Sequence, residues 1–151
     1  MLQLSKWFAF LWVLLAGACC GAPTAGASDD ATTTAAIASL LRTSAGYWNR
    51  GRLDDFMQSY ENSPATTYVS SKSVIRGFKA IRAHYASSYR GGHVGTLSMT
   101  NVAVRPLGTT YAVVVARWRL ALHDGTRPSG IFSLVLHRGA AGWRIITDHS
   151  P

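Results

Sequence analysis

The sequence predicts an α+β fold: a cone of three N-terminal helices packed on a curved, mostly antiparallel β-sheet. Three observations predict it. Before Gly95 the apolar residues recur near every 3.6 positions, and after it they alternate. Turn signals at Pro106 with Gly108, at Asp124-Gly125 and at Gly139-Ala140-Ala141-Gly142 cut the alternating part into strand-length runs. Two short β-branched runs interrupt the helical part. Helices followed by successive antiparallel strands give a sheet with helices on one face.

The chain divides at residue 27. Lys6 is the only charge before that point, residues 7–18 are apolar, and small residues follow. A charged start, an apolar run and a small-residue end make a secretory signal peptide. The run falls short of the roughly 20 apolar residues of a membrane span. Ala25-Gly26-Ala27 places cleavage after Ala27, with Ala22 as the alternative. The mature domain is then 28–151, one domain by length, and periplasmic or secreted. Leu15-Ala16-Gly17-Ala18-Cys19 offers a rival reading as a lipoprotein box. Lipid on Cys19 or Cys20 would then anchor the chain to a membrane. Soluble export is preferred, because Leu15 lies four places before Cys19 rather than three.

Removal of the leader takes both cysteines, so the mature chain offers no disulfide and no thiolate. It keeps fourteen basic and seven acidic residues, a net charge of +7. That balance suits anionic surfaces. The arginines are dispersed and no nucleic-acid motif accompanies them, so nucleic acid is not an expected partner.

The elements follow in order. Residues 28–34 are small and polar, with Asp29, Asp30 and Thr32 as expected helix caps. Ile37, Leu40, Leu41, Ser44 and Trp48 recur at helical spacing, and Gly51 stops the helix. A second short helix puts Leu53, Phe56, Met57 and Tyr60 on one face, with Asp54 and Asp55 in its first turn. Residues 66–70 and 73–76 read as short strands. Phe78, Ile81, Tyr85 and Tyr89 mark a third helix, ended by Gly91-Gly92. Residues 96–104 form a strand whose alternation slips near Asn101, where a bulge is expected. Residues 105–109 turn. Residues 110–122 form a long strand, with Val114, Ala116, Trp118, Leu120 and Leu122 on one face. Residues 130–138 and 143–149 complete the sheet.

The residues that carry chemistry are few. Trp48, Tyr47, Tyr60, Tyr68, Tyr85 and Trp118 form an aromatic set on the enclosing elements, and Leu134 joins them from the next strand. Such a lining stacks organic rings and offers phenol hydrogen bonds; core packing explains the same residues. Asp148 and His149 supply an acid and an imidazole for proton transfer. On a regular strand they face opposite ways. Ile146, Asp148 and Ser150 then share one side, and Trp143, Ile145, Thr147 and His149 share the other. His84, on the third helix, is expected to be partly exposed. The five histidines show no metal-ligand spacing, and no metal or other cofactor is expected. No serine sits in a nucleophile motif.

Trp48-Asn49-Arg50-Gly51 with Phe56-Met57 and Tyr60 resembles the first-helix motif of small bacterial domains of the nuclear transport factor 2-like, SnoaL-like superfamily. Arg76-Gly77, Tyr85, Gly95, Leu97, Arg117-Trp118, Gly130, Phe132 and Leu134 fit the same pattern. Gly142-Trp143-Arg144-Ile145 and Asp148-His149-Ser150 match its usual ending. The resemblance covers about residues 36–150. It implies helices against a curved sheet, with homodimers formed through the outer sheet face. Members include ketosteroid isomerase-like enzymes, polyketide cyclases, dehydratases and non-catalytic association domains, so membership alone names no activity. The isomerases place a base carboxylate after the second helix and a protonated Asp on a middle strand. Residues 65–71 and 96–119 contain no acid.

Three functional readings follow. The first is an exported domain that binds a small hydrophobic molecule without catalysis, through Trp48, Tyr60, Tyr68, Tyr85, Trp118 and Leu134. The second is a lyase, isomerase or cyclase in which Asp148 or His149 moves a proton. The third is a homo-oligomeric association module. Asp148 or His149 within reach of a buried tyrosine favours the second.

Overall fold

The computed structural model describes residues 25–89 and 95–151. The expected leader, apart from its last three residues, and the Gly91-Gly92 stop lie outside the described residues. Helix α1 spans Ala25–Asn49. Ile37, Leu41, Ser44 and Trp48, three or four residues apart, form its buried stripe. The helix begins ahead of Asp29, Asp30 and Thr32, which therefore lie inside it rather than capping it. Ala25, Ala27 and Ala31 are strong helix formers and carry the turns through this polar stretch. The helix ends as expected: Gly51 takes φ +69°, and its N–H donates to the Trp48 carbonyl at 2.9 Å.

Helix α2, Leu53–Met57, is little more than one turn. Tyr60 lies beyond it rather than on its face. Bonds from Gln58 N–H to Asp55 O and from Ser59 N–H to Phe56 O tighten the chain. Ser59 and Glu61 then bind the backbone of Ile145, so that Tyr60 sits beside the sheet. Strands β1 (Thr67–Val69) and β2 (Val74–Arg76) form a hairpin ahead of helix α3 (Phe78–Tyr89). Three helices are thus described, but they do not form a continuous N-terminal block, because the hairpin separates α3 from the other two.

Four strands follow: β3 (Thr96–Leu107), β4 (Tyr111–Ala121), β5 (Ser129–Gly139) and β6 (Gly142–His149). The curved six-stranded sheet has the order β2-β1-β6-β5-β4-β3. Only β1–β6 is parallel. Strand β3 runs through residues expected to turn, Pro106 included. It is the edge strand, and an edge tolerates a residue with no N–H to donate. The bulge near Asn101 is present: the β3–β4 register shifts between Thr100 and Ala103, and Asn101 takes φ +54°.

The core lies between α1 and the inner sheet face. Ala112, Val114 and Ala116 of β4, Phe132, Leu134 and Leu136 of β5, and Trp143 and Ile145 of β6 are buried there. Asn49, at the end of α1, fastens the helix to β3. Its side-chain amide donates to the Leu97 carbonyl at 3.0 Å, and its carbonyl accepts the Leu97 N–H at 2.7 Å.

A second register shift decides the site. Val135 faces Thr147 and Leu136 faces Ile145, so Ile146 is an extra residue in β6. Strict alternation would put Asp148 on the side opposite Trp143 and Ile145. The extra residue resets the parity, and all three point inward and are buried.

Candidate functional site

A cavity of about 320 Å³ opens between the helices and the inner sheet face. This is within the size of small-molecule sites, about 300–1,000 Å³. All six expected lining residues, Trp48, Tyr60, Tyr68, Tyr85, Trp118 and Leu134, border it, and Asp148 borders it too. Tyr47 does not. It lies under two guanidinium groups, those of Arg50 and Arg52, at 5.2 and 5.1 Å from its ring centre.

Asp148 occupies the middle of this wall because of strand register. It faces Tyr68 across the parallel β1–β6 ladder and Leu134 across β5–β6. The Ser150 N–H holds the strand end by donating to the Val69 carbonyl at 2.9 Å. Only 4% of Asp148 is exposed. Tyr60 O–H donates to its Oδ2 at 2.6 Å, Tyr85 O–H donates to the same oxygen at 3.2 Å, and Ser150 Oγ–H donates to Oδ1 at 2.6 Å. The two phenol oxygens are 2.9 Å apart. Tyr60, Tyr85 and Oδ2 therefore form a triangle of three short contacts.

Burial pushes the Asp148 carboxyl above its ordinary 3.8, against the opposing pull of the Ser150, Tyr60 and Tyr85 hydroxyls and the nearby His149. Burial, and then the Asp148 charge, pushes Tyr60 and Tyr85 well above 10.0. Tyr68 moves the same way for the same two reasons. Burial therefore disfavours the charged form of each of these groups. With Asp148 ionised, two phenol protons serve the three contacts of the triangle; with it protonated, its own proton can serve the third.

The aromatic wall is continuous. Phe56 meets Trp48 and Tyr85 edge-on, with ring centres at 5.2 and 5.1 Å. His84 is half-buried and lines the cavity, its ring 5.0 Å from that of Tyr68. Helical spacing beside Ile81 hinted at this position, but the contact with β1 spans sixteen residues and leaves no local signal. A buried pair, Ser44 Oγ–H donating to Ser59 Oγ at 3.2 Å, adds polarity that the sequence reading did not single out. At the far wall Trp118 packs closely against Gly130. A Cβ at residue 130 would come within 2.8 Å of the Trp118 ring nitrogen, so glycine is what allows the indole to lie there.

His149 is exposed and does not border the cavity. Of the two expected proton carriers, only Asp148 faces inward. Among the described residues no three His, Cys, Asp or Glu side chains converge as a metal site. The cavity can enclose an apolar molecule and present to it the carboxyl of Asp148, the phenols of Tyr60, Tyr68 and Tyr85, the imidazole of His84 and the hydroxyls of Ser44, Ser59 and Ser150.

A family model described as a SnoaL-like domain matches residues 29–147. None of the curated proteins matches the chain. Among solved structures, a nuclear transport factor 2-like protein of unknown function from Shewanella oneidensis MR-1 is 30% identical, with TM-score 0.73 over 77% of this chain and 96% of that one. A nuclear transport factor 2-like superfamily protein from Salmonella enterica is 20% identical, with TM-score 0.65 over 79% and 89%. A candidate scytalone dehydratase from Novosphingobium aromaticivorans is 11% identical, with TM-score 0.67 over 82% and 85%, and shares the fold. With the family model covering most of its length and the fold agreeing, this chain belongs to the SnoaL-like domain family of the nuclear transport factor 2-like superfamily.

Proposed function

We propose that this domain binds one small organic molecule in the aromatic cavity, with Asp148 as its polar anchor. The observation that carries the reading is a carboxyl 4% exposed, at a cavity wall otherwise made mostly of rings and aliphatic groups. An apolar pocket with a few converging polar groups is the usual form of a small-molecule site. The leader pattern in residues 1–27 supports export, so the ligand is met in the periplasm or outside the cell. The apolar Val115 and Ile131 on the outer sheet face support a homodimer through that face.

The test is native mass spectrometry of protein purified from its own compartment, followed by binding measurements on Trp118→Ala. The expected result is one retained small molecule whose affinity falls at least about tenfold in the variant. Folded protein that retains nothing and shows no thermal shift with a library of aromatic compounds overturns the reading.

A second reading, proton-transfer catalysis of the lyase, isomerase or cyclase type, is favoured by one observation. Asp148 is a buried acid pushed toward its neutral form and bonded to the buried Tyr60 and the half-buried Tyr85. Such a carboxyl is a better proton donor and acceptor for catalysis than an exposed one, and the phenols can steady developing oxyanion charge. Turnover of a bound molecule that Asp148→Asn abolishes without weakening binding would establish this reading over the first.

A further inference from the structure

We infer that the ligand is an organic cation: an apolar body carrying one protonated amine, whose ammonium docks on the triangle of Asp148, Tyr60 and Tyr85. The inference rests on the cavity being a small-molecule site, and it adds the chemical class of what enters.

Three observations carry it. The first is the charge balance of the cavity. Asp148 is the only carboxylate at its wall, and among the described residues no lysine or arginine lies within ion-pair distance of it. Two acids elsewhere do have such partners: Arg82 pairs with Asp54 and Arg52 with Asp55. A buried charge without a partner is costly, and a cation brought in by the ligand removes that cost.

The second is the proton count. The ionised triangle is one proton short of its three contacts. An ammonium has three N–H donors and no acceptor, so it brings further donors to the phenol and carboxylate oxygens together with the charge that balances the acid. A ketone or ether brings neither.

The third is the ring content. Tyr68, Tyr85, Trp48, Phe56 and Trp118 border the same space as the acid. Ring faces attract a cation, most strongly where water is excluded. The same rings suit the ligand's apolar body. An acid set among aromatic faces, with no basic residue paired to it, is the arrangement that distinguishes a cation from a neutral molecule of the same shape.

The test compares benzylamine with benzyl alcohol, which have nearly the same shape, by titration calorimetry against the wild-type domain and Asp148→Asn. Benzylamine should bind at least about tenfold more tightly than benzyl alcohol, and the variant should erase that difference while still binding the alcohol. Equal affinity of the two probes for the wild type overturns the organic-cation class and leaves the pocket standing. If neither probe binds, the pocket reading falls and the inference falls with it.

Should Asp148→Asn fail to fold, a pH series on the wild type decides instead. Tyr60 from the segment after α2, Tyr68 from β1, His84 and Tyr85 from α3, and His149 and Ser150 from the end of β6 surround the carboxyl. Benzylamine affinity should fall as pH is lowered from neutrality into acid, because protonation removes the carboxylate charge, while benzyl alcohol affinity holds. The same trend must persist in His84→Gln, which removes the one imidazole that the described residues place at the cavity wall. A benzylamine affinity independent of pH, or a trend that disappears with His84, overturns the inference.

Discussion

The two faces of the sheet are built from the same strands and behave as opposites. On β4, Ala112, Val114 and Ala116 point inward and are buried, while Tyr111, Val115, Arg117 and Arg119 point outward and are exposed. Among the described residues, the inner face has one acid and no arginine at its cavity. The outer face carries the arginines and scattered apolar side chains. Alternation alone separates the two sets along β4 and β5. On β6 alternation must fail once, at Ile146, for the acid to join the inner set. The functional group is thus placed by the one irregular step in an otherwise regular strand.

The largest predicted effect comes from shifting that step. Deleting Ile146 leaves Ile145 and Asp148 two positions apart, the spacing of a regular strand, so Trp143, Ile145 and Asp148 can all still face inward; deleting Arg144 instead makes Trp143 and Ile145 neighbours, and one of them must turn outward. The Arg144 deletion should cost about 3 kcal/mol or more, read as loss of a cooperative urea transition, while the Ile146 deletion keeps that transition. An Ile146 deletion that unfolds the protein while the Arg144 deletion does not would remove the bulge from the account.

Next in size is Tyr60→Phe, which leaves Asp148 Oδ2 with the longer Tyr85 bond alone. The expected loss is about 1–3 kcal/mol, the cost of a buried acceptor deprived of a donor. Tyr85→Phe should cost less, because its bond to the carboxyl is 3.2 Å rather than 2.6 Å. Reversal of that order in denaturant titrations would mean that Tyr85 is the main partner.

The third effect is a pH trend. The folded-state value of Asp148 lies above its ordinary 3.8, so the protonated form favours folding. That contribution is complete below about 3.8 and is lost as pH rises through the folded value. Wild-type stability measured relative to Asp148→Asn should therefore be greatest in acid and decline toward neutrality. Other carboxyls are common to both proteins and cancel. A difference that grows with pH would mean the carboxylate form is the preferred one.

The smallest effect on stability belongs to the outer face. Val115→Thr with Ile131→Thr should change stability by no more than about 0.5 kcal/mol per site, since both side chains are largely exposed. The same pair should convert a dimer to a monomer in sedimentation equilibrium. A variant that still dimerises would place the contact elsewhere.

Much of the fold was legible because its signals are local. The slip at Asn101, the stop at Gly51 and the inward face of β4 each declare themselves within a few residues. The continuation of β3 through Pro106 was not legible. A proline reads as a break unless the strand is known to lie at an edge, and strand order is a long-range property. The bulge in β6 was hidden by composition. Ile145, Ile146 and Thr147 are all β-branched, so either parity fits a strand and no polar residue marks the slip. The six lining residues could be named because aromatic residues on enclosing elements have few other places to go. That Asp148 rather than His149 would join them depended on the hidden bulge. His84 depended on a contact between α3 and β1 that no spacing records.

The tie between Asn49 and Leu97 has a consequence for how the protein behaves in crowded solution. Strand β3 is the long free edge of the sheet, and an open edge invites a strand from another molecule to zip onto it. Asn49 occupies both backbone groups of Leu97, the bulge at Asn101 bends the ladder, and Pro106 withholds a donor. A foreign strand laid along β3 meets an interruption near its start, its middle and its end. The opposite edge, β2, offers only three residues. Fibrous growth by edge-to-edge addition is therefore hindered at both margins of the sheet.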